Sequence, residues 1–131
     1  KIASLFVKAG LSGADRGAAY LLPRVAGLAK ATELLYTGDF ISAAEAERTG
    51  LYNRVVASTE LQNVTRELAV RLARGPAFAL AKTKEMLNRE LNMNLETALE
   101  SEAQAQAICM QHPDYREAFE AFVAKREPKF K

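Results

Sequence analysis

Residues 10 to 51 read GLSGADRGAAYLLPRVAGLAKATELLYTGDFISAAEAERTGL, and this stretch decides the fold of the 131-residue chain. It opens on a loop in which Gly13 and Gly17 flank Asp15. Glycines let a backbone approach a neighbouring group closely and leave a carboxylate between them unshielded. The loop therefore marks Asp15 as a candidate functional acid.

A short apolar helix is predicted to follow the loop and run into Pro23-Arg24, and two further helices are predicted from their end signals. Leu28 to Tyr36 has apolar residues at helical spacing and stops at Thr37-Gly38, where a left-handed C-cap is expected. Ser42 followed by Glu45 three residues later is the pattern of a capping box, which opens a helix that Gly50 closes.

Two other segments predict extended structure. Ile2 to Ala9 is interpreted as a short buried strand or an extended leading segment, and Leu51 to Val56 as a strand bounded by Gly50 and Ser58-Thr59. Beyond residue 57 the apolar spacing is helical. Helices are predicted from Ser58-Thr59 to Leu72, Ala77 to Glu90, Leu95 to Gln111 and Tyr115 to Lys125. Asp114 is expected to cap the last of these helices, and His112 is expected to face solvent.

Composition excludes several classes of function. The net charge is +2, from 18 basic and 16 acidic residues, which gives no field of the size that captures nucleic acid. A single histidine, His112, and a single cysteine, Cys109, provide no pattern for a metal site or a disulfide framework. Neither a membrane-spanning run nor a signal peptide is predicted, so the expectation is a soluble cytoplasmic protein.

An ordered set of motifs resembles the enoyl-CoA hydratase/isomerase (crotonase) family. The motifs are Leu22-Pro23-Arg24, LLYTG at residues 34–38, ISAAEA at 41–46, Gly50-Leu51 and the tail AFVAKREPKF at 121–130. The resemblance implies an α/β crotonase-like (ClpP/crotonase spiral) fold, of which this chain is the mostly α-helical C-terminal part with one or two short strands. It also implies that residues 1–57 end the core domain, with the acid-bearing loop and a strand, and that residues 58–131 form a helical region for oligomerisation and CoA contact.

The resemblance implies which residues lie near the acyl group of the substrate. The loop that carries Asp15 is similar to the acid-bearing loop of dienoyl-CoA isomerases, so Asp15 is the candidate catalytic residue. The alternative is that Asp15 only caps the helix beginning near Gly17. Phe6 and Gly13 are expected to line the substrate pocket. In many hydratases of the family the position of Phe6 carries a glutamate, which is evidence against simple hydratase chemistry because a phenyl ring cannot transfer protons.

The tail implies a second contact with the substrate. By position, Phe122 and Lys125 are the aromatic residue and the lysine that bind the nucleotide part of CoA. The alternative for Phe122 is an ordinary core residue, because its spacing is helical. The implied substrate is a coenzyme A thioester, with no separate cofactor and no metal.

Two functions from different classes are expected. The first is an acyl-CoA enzyme that stabilises a thioester enolate, assembled as a homo-oligomer, a trimer or hexamer, through the helices between Thr59 and Lys125. The family's oxyanion hole would lie in a preceding half, so the 131-residue chain alone is expected to be inactive. The second is a non-catalytic assembly module derived from the same family.

Overall fold

The computed structural model describes residues 1–130 and divides into two compact units, Lys1–Leu61 and a second unit that begins at Gln62. The boundary falls a few residues after the predicted division at residue 57. Within residues 1–130 the secondary structure is almost entirely helical. The helices are α1 (Ala18–Ala26), α2 (Leu28–Thr37), α3 (Ala43–Arg48), α4 (Leu61–Ala73), α5 (Ala77–Arg89), α6 (Leu95–Met110) and α7 (Pro113–Val123). Short 3-10 turns cover Phe6–Ala9 and Glu90–Asn92.

The first unit has a small apolar core built from α2, α3 and the segment between them. Leu34, Ile41 and Ala46 are buried together, and Ile2, Leu22 and Leu51 pack against them half-buried. Ala31 and Leu35 of α2 are buried as well. Because α2 contributes buried residues one turn apart, it is fixed in rotation, and α1 packs against it.

The predicted end of α2 at Gly38 and the predicted Ser42 N-cap of α3 are confirmed. Gly38 has φ of 63° and closes α2 through its N–H, which donates to the Leu34 carbonyl at 3.1 Å. The Ser42 hydroxyl accepts from the Glu45 N–H at 3.1 Å and opens α3. The Glu45 carboxylate does not complete the capping box, because it pairs with Lys30 of α2 at 2.5 Å. Ser42 therefore begins α3, and Glu45 ties α3 to α2.

The predicted strands are wrong in their extent. Residues Ile2 and Ile41 form an isolated antiparallel bridge, with N–H to carbonyl distances of 3.1 and 2.9 Å, and Phe6–Ala9 turns into a 3-10 helix. The Leu51–Val56 segment is irregular. Its amides bond locally instead, for example the Val55 N–H to the Glu47 carboxylate at 2.8 Å. A strand requires a neighbouring strand, and within residues 1–130 only Ile2 and Ile41 supply one to each other.

The second unit is an array of helices with little buried apolar surface. Asn94 caps α6, since its side-chain oxygen accepts from the Thr97 N–H at 2.8 Å, and α6 contacts both α5 and α7. Ala121 and Asp114 are its only buried residues in the described part of the chain. Many of its large apolar side chains are exposed, among them Leu68, Leu72, Leu87, Leu95, Leu99, Ile108, Met110, Phe119, Phe122 and Val123.

The start of α7 differs from the prediction. His112, not Asp114, is the N-cap, because its Nδ1 accepts from the Asp114 N–H at 3.3 Å. The imidazole also stacks on Phe78 of α5, with ring centroids 4.6 Å apart and planes 6° from parallel. His112 therefore packs between two helices rather than facing solvent, since the turn at residues 111–112 directs the ring onto α5.

None of the helices described over residues 1–130 combines the length and apolar character needed to cross a membrane.

Candidate acyl-CoA site

The acid-bearing loop is a series of tight backbone turns. The Asp15 N–H donates to the Gly13 carbonyl at 3.1 Å, and the Ala18 N–H donates to the Asp15 carbonyl at 2.8 Å. Arg16 and Gly17 both have positive φ, 47° and 82°. The loop therefore reverses the chain sharply just before α1, and this turn sets the position of Asp15.

Asp15 does not cap α1 through its side chain. Gly17 occupies the N-cap position, and no side chain donates or accepts a cap hydrogen bond there. The Asp15 carboxylate instead lies 3.5 Å from Arg16 Nε, with 43% of the Asp15 side chain and 91% of the Arg16 side chain exposed. The capping alternative is thus wrong. The carboxylate is accessible, and the Arg16 side chain that pairs with it is almost fully exposed to solvent.

An apolar cavity of about 260 Å³ lies in the same unit. Helix α1 contributes Ala18, Leu21, Leu22 and Val25, and α2 contributes Leu34 and Leu35. The remaining lining residues are Ile2, Ala3, Ser4, Ile41 and Leu51, so Ser4 is the only polar residue of the set. Ala18 is the first residue of α1, three positions after Asp15, so the acid-bearing loop leads directly into one wall of the cavity.

The two predicted pocket residues lie outside that lining. Phe6 is half-buried in the 3-10 turn that precedes the loop. Gly13 is buried against α2, where an added Cβ would come within 2.6 Å of the Leu35 carbonyl oxygen. Gly13 therefore allows the loop to pack directly on the α2 backbone. Substrate contact by Phe6 and Gly13 stays a prediction.

The two predicted CoA residues lie in the second unit, at the end of α7. Phe122 is 82% exposed, so the core alternative for this residue is wrong in this structure. Lys125 has a left-handed backbone, with φ of 52°, and its side chain is exposed. Both residues are accessible to a ligand. Their contact with CoA stays a prediction.

A carboxylate on α7 organises the tail next to these residues. Glu117 binds the Arg126 guanidinium through two bonds of 2.6 and 3.0 Å and also accepts from the Lys129 N–H at 2.7 Å. The Arg126 guanidinium, and secondarily the Lys129 N–H, lower the pKa of the Glu117 carboxyl from 4.5 to about 2. Glu117 is therefore ionised throughout the physiological range, and it fixes the tail against α7.

Sequence reasoning missed Glu117 and His112. Glu117 and Arg126 are nine residues apart, which is no helical or turn spacing, so no local pattern joins them. The His112–Phe78 stack joins two helices that are distant in sequence. In the described residues no three His, Cys, Asp or Glu side chains form a group that could hold a metal ion.

Comparison with known proteins places these features in one family. The family model for enoyl-CoA hydratase/isomerase matches residues 1–131. The chain is 38% identical over 130 residues to 1,2-epoxyphenylacetyl-CoA isomerase of Escherichia coli K12, covering 99% of this chain and 49% of that protein. It is 33% identical to short-chain-enoyl-CoA hydratase of Clostridium acetobutylicum, covering 94% and 45%.

Solved structures agree with the sequence comparison. A proposed enoyl-CoA hydratase from Streptomyces coelicolor A3(2) superposes with a TM-score of 0.95 at 50% identity, covering 98% of this chain and 47% of that one. Enoyl-CoA hydratase of Mycobacterium smegmatis gives a TM-score of 0.91 at 30% identity, covering 98% and 49%. The chain thus spans about half the length of the relatives it matches, and its mostly helical structure is part of the crotonase fold, as predicted. By its motifs, its full-length match to the family model and its structural neighbours, the chain belongs to the enoyl-CoA hydratase/isomerase family.

Proposed function

We propose that this chain provides the acid–base group and the nucleotide-binding tail of an acyl-CoA enzyme that stabilises a thioester enolate. The observation that carries the proposal is the acid-bearing loop, in which Gly17 takes the N-cap of α1 and leaves the Asp15 carboxylate without a capping role. A carboxylate held by a strongly turned backbone and not used for capping is available for proton transfer.

Asp15 acts as base and then as acid in this proposal. Its carboxylate accepts a proton from a carbon conjugated with the thioester, and the electron pair of the broken C–H bond moves into the enolate. The carboxylic acid then returns the proton at another carbon, so an isomerisation requires no net proton. Phe6, where many hydratases carry a glutamate, favours an isomerase over a hydratase because it cannot activate water.

The apolar cavity and the C-terminal tail bind opposite ends of the thioester in this proposal. The cavity behind α1 is lined almost wholly by apolar side chains, which suits an acyl group. Phe122 and Lys125 would bind the nucleotide, with the ring against the adenine and the ammonium against a phosphate. The oxyanion donors are proposed to come from the part of the fold that the relatives have in addition. A trimeric or hexameric assembly and a cytoplasmic location belong to the same proposal.

The test uses a chimera in which the half of the Streptomyces coelicolor relative that this chain does not cover precedes Lys1. Asp15→Asn in the chimera should lower kcat for a dienoyl-CoA or crotonyl-CoA substrate by roughly two to four powers of ten, the usual share of general acid–base catalysis. The melting temperature should not change, because Asp15 caps nothing. Asp39→Asn, an exposed carboxylate in the same unit that pairs with Lys8, is the matched control and should retain activity.

Wild-type turnover in the Asp15→Asn chimera would refute the catalytic assignment. The 131-residue chain without the added half should show no turnover above background, since it would lack the oxyanion donors. Activity of that chain alone would contradict the proposed division of the site.

The exposed apolar side chains of α4, α6 and α7 favour a second candidate, an assembly module without catalysis. Sedimentation of the chimera separates the two. Oligomers with Asp15-dependent turnover support the enzyme, whereas oligomers whose turnover is absent or independent of Asp15 support the module.

A further inference from the structure

The end of α7 is closed by a Schellman motif with an unusual residue. The Arg126 N–H donates to the Ala121 carbonyl at 3.0 Å, and the Lys125 N–H donates to the Phe122 carbonyl at 3.1 Å. This pair of bonds requires a left-handed residue just after the cap, and glycine normally occupies that position because a Cβ is crowded there. Here it is Lys125, with φ of 52°.

The strained turn is held from outside by Glu117. Its two carboxylate oxygens accept hydrogen bonds from the guanidinium of Arg126, the residue directly after Lys125. One of these oxygens also accepts from the Lys129 N–H at 2.7 Å. A bidentate carboxylate–guanidinium pair fixes orientation as well as distance. The backbone on the C-terminal side of Lys125 is therefore anchored to α7, nine residues upstream of Arg126.

The side chain of Lys125 does not help to hold this turn. Over residues 1–130 its ammonium has no hydrogen bond or ion pair, although Glu117, Glu120 and Glu127 are all on the same helix end or tail. Phe122, one turn earlier, is likewise exposed. A strained lysine without a structural partner next to an uncovered aromatic ring is the signature of a residue kept for binding rather than for stability.

We infer that the Glu117–Arg126 pair is a positioning device that holds Lys125 in the left-handed turn and thereby directs its ammonium, beside Phe122, to the nucleotide phosphate of a CoA thioester. The inference rests on the proposed function and adds two positioning residues to it. Glu117 and Arg126 act through the turn and do not contact the substrate.

The first measurement uses Lys125→Gly, which is expected to raise stability and to weaken the binding of the CoA thioester. Glycine relieves the left-handed strain, so the melting temperature of the full 131-residue chain should rise by about 2 °C. In the chimera, KM for crotonyl-CoA should rise about fivefold, the upper range for an exposed ion pair, with kcat changed less than twofold. KM for crotonyl-pantetheine, which lacks the nucleotide, should not change. Lys125→Arg keeps the charge and should retain most of the affinity for crotonyl-CoA.

The second measurement is a double-mutant cycle between Glu117 and Lys125. Glu117→Gln should raise KM for crotonyl-CoA about threefold and leave KM for crotonyl-pantetheine unchanged. In the Lys125→Gly background the same substitution should have no effect on KM, because no ammonium remains to be positioned. A merely structural role would lower stability equally in both backgrounds and would alter KM for both thioesters or for neither.

The outcomes separate the inference from the proposed function. If Lys125→Gly leaves KM for crotonyl-CoA unchanged, the nucleotide contact proposed for Lys125 is refuted, and the inference with it. If Lys125→Gly raises KM but Glu117→Gln does not, or if the two effects add fully in the double variant, the positioning role is overturned and the nucleotide contact stands. A fall in melting temperature for Lys125→Gly would contradict the strain on which the inference depends.

Discussion

The two units of the chain are both helical, but they bury their side chains to different degrees. The unit Lys1–Leu61 encloses Ala31, Leu34, Leu35, Ile41 and Ala46, whereas in the described part of the second unit the buried residues are Ala121 and Asp114. The difference shows that helical spacing alone does not create a core. In the first unit the apolar positions of α2 meet α1, the bridge and α3, while in the second unit they remain on the surface.

Shortening a leucine to alanine in each unit tests whether the two units differ in burial. Leu34→Ala, at a residue 5% exposed, should lower the free energy of unfolding by about 2–4 kcal/mol, because it loses buried area and leaves a cavity. Leu99→Ala in α6, where the side chain is 55% exposed, should cost less than about 0.5 kcal/mol. Denaturant unfolding of the chain measures both. Equal losses would mean that the second unit has a core of its own under these conditions.

A second substitution tests how closely the acid-bearing loop packs on α2. Gly13→Ala places a Cβ 2.6 Å from the Leu35 carbonyl oxygen and should destabilise the first unit by about 1–3 kcal/mol. Gly10→Ala is the matched control, since φ there is 74° but nothing lies within 4 Å of an added Cβ, so only backbone strain of about 1 kcal/mol is expected. If Gly13→Ala is the milder of the two, the close approach in the structure is wrong.

Helix caps should contribute equally to stability in the two units, because a cap depends on a local hydrogen bond rather than on burial. Ser42→Ala removes the cap of α3 and Asn94→Ala that of α6, and each should cost about 1 kcal/mol because one helix-end N–H loses its acceptor. Thermal melts of the two variants measure this. Effects that differ by more than twofold would indicate that burial, rather than the local hydrogen bond, sets the value of a cap.

The stability of the second unit should depend weakly on pH at acidic values. The pKa of the Glu117 carboxyl is lowered to about 2 in the folded chain from an ordinary 4.5, so the unfolded chain binds its proton first as the pH falls. The stabilisation that the ionised Glu117 carboxylate gives to the folded chain is complete above pH 4.5. It declines as the pH falls from 4.5 to about 2, and it is absent at lower pH. Glu117→Gln should flatten melting temperature against pH in that window only. In the first unit, Lys30 likewise lowers the pKa of Glu45, and that dependence should survive the substitution.

Features governed by neighbours in sequence were predictable, and features governed by distant partners were not. Gly38 and Ser42 signal helix ends through their own backbone and side chain, so their roles followed from the sequence. The strand predicted for Leu51–Val56 failed because strand formation depends on a partner that the apolar pattern cannot reveal. The accessible Asp15 was predictable as a candidate, but its release from capping depended on the φ of Gly17, and Glu117 had no signal at all.

The bridge between Ile2 and Ile41 has a consequence for the kinetics of folding. It joins residues 39 positions apart (41 − 2) through two hydrogen bonds and closes the first unit into a ring of chain. Helices such as α2 and α3 can form in about a microsecond from local contacts, but a loop of this length must lose its closure entropy before the two bonds can form. The bridge is thus expected to form late and to open early, so the Ile41 amide should exchange its hydrogen with solvent faster than the Leu34 amide inside α2.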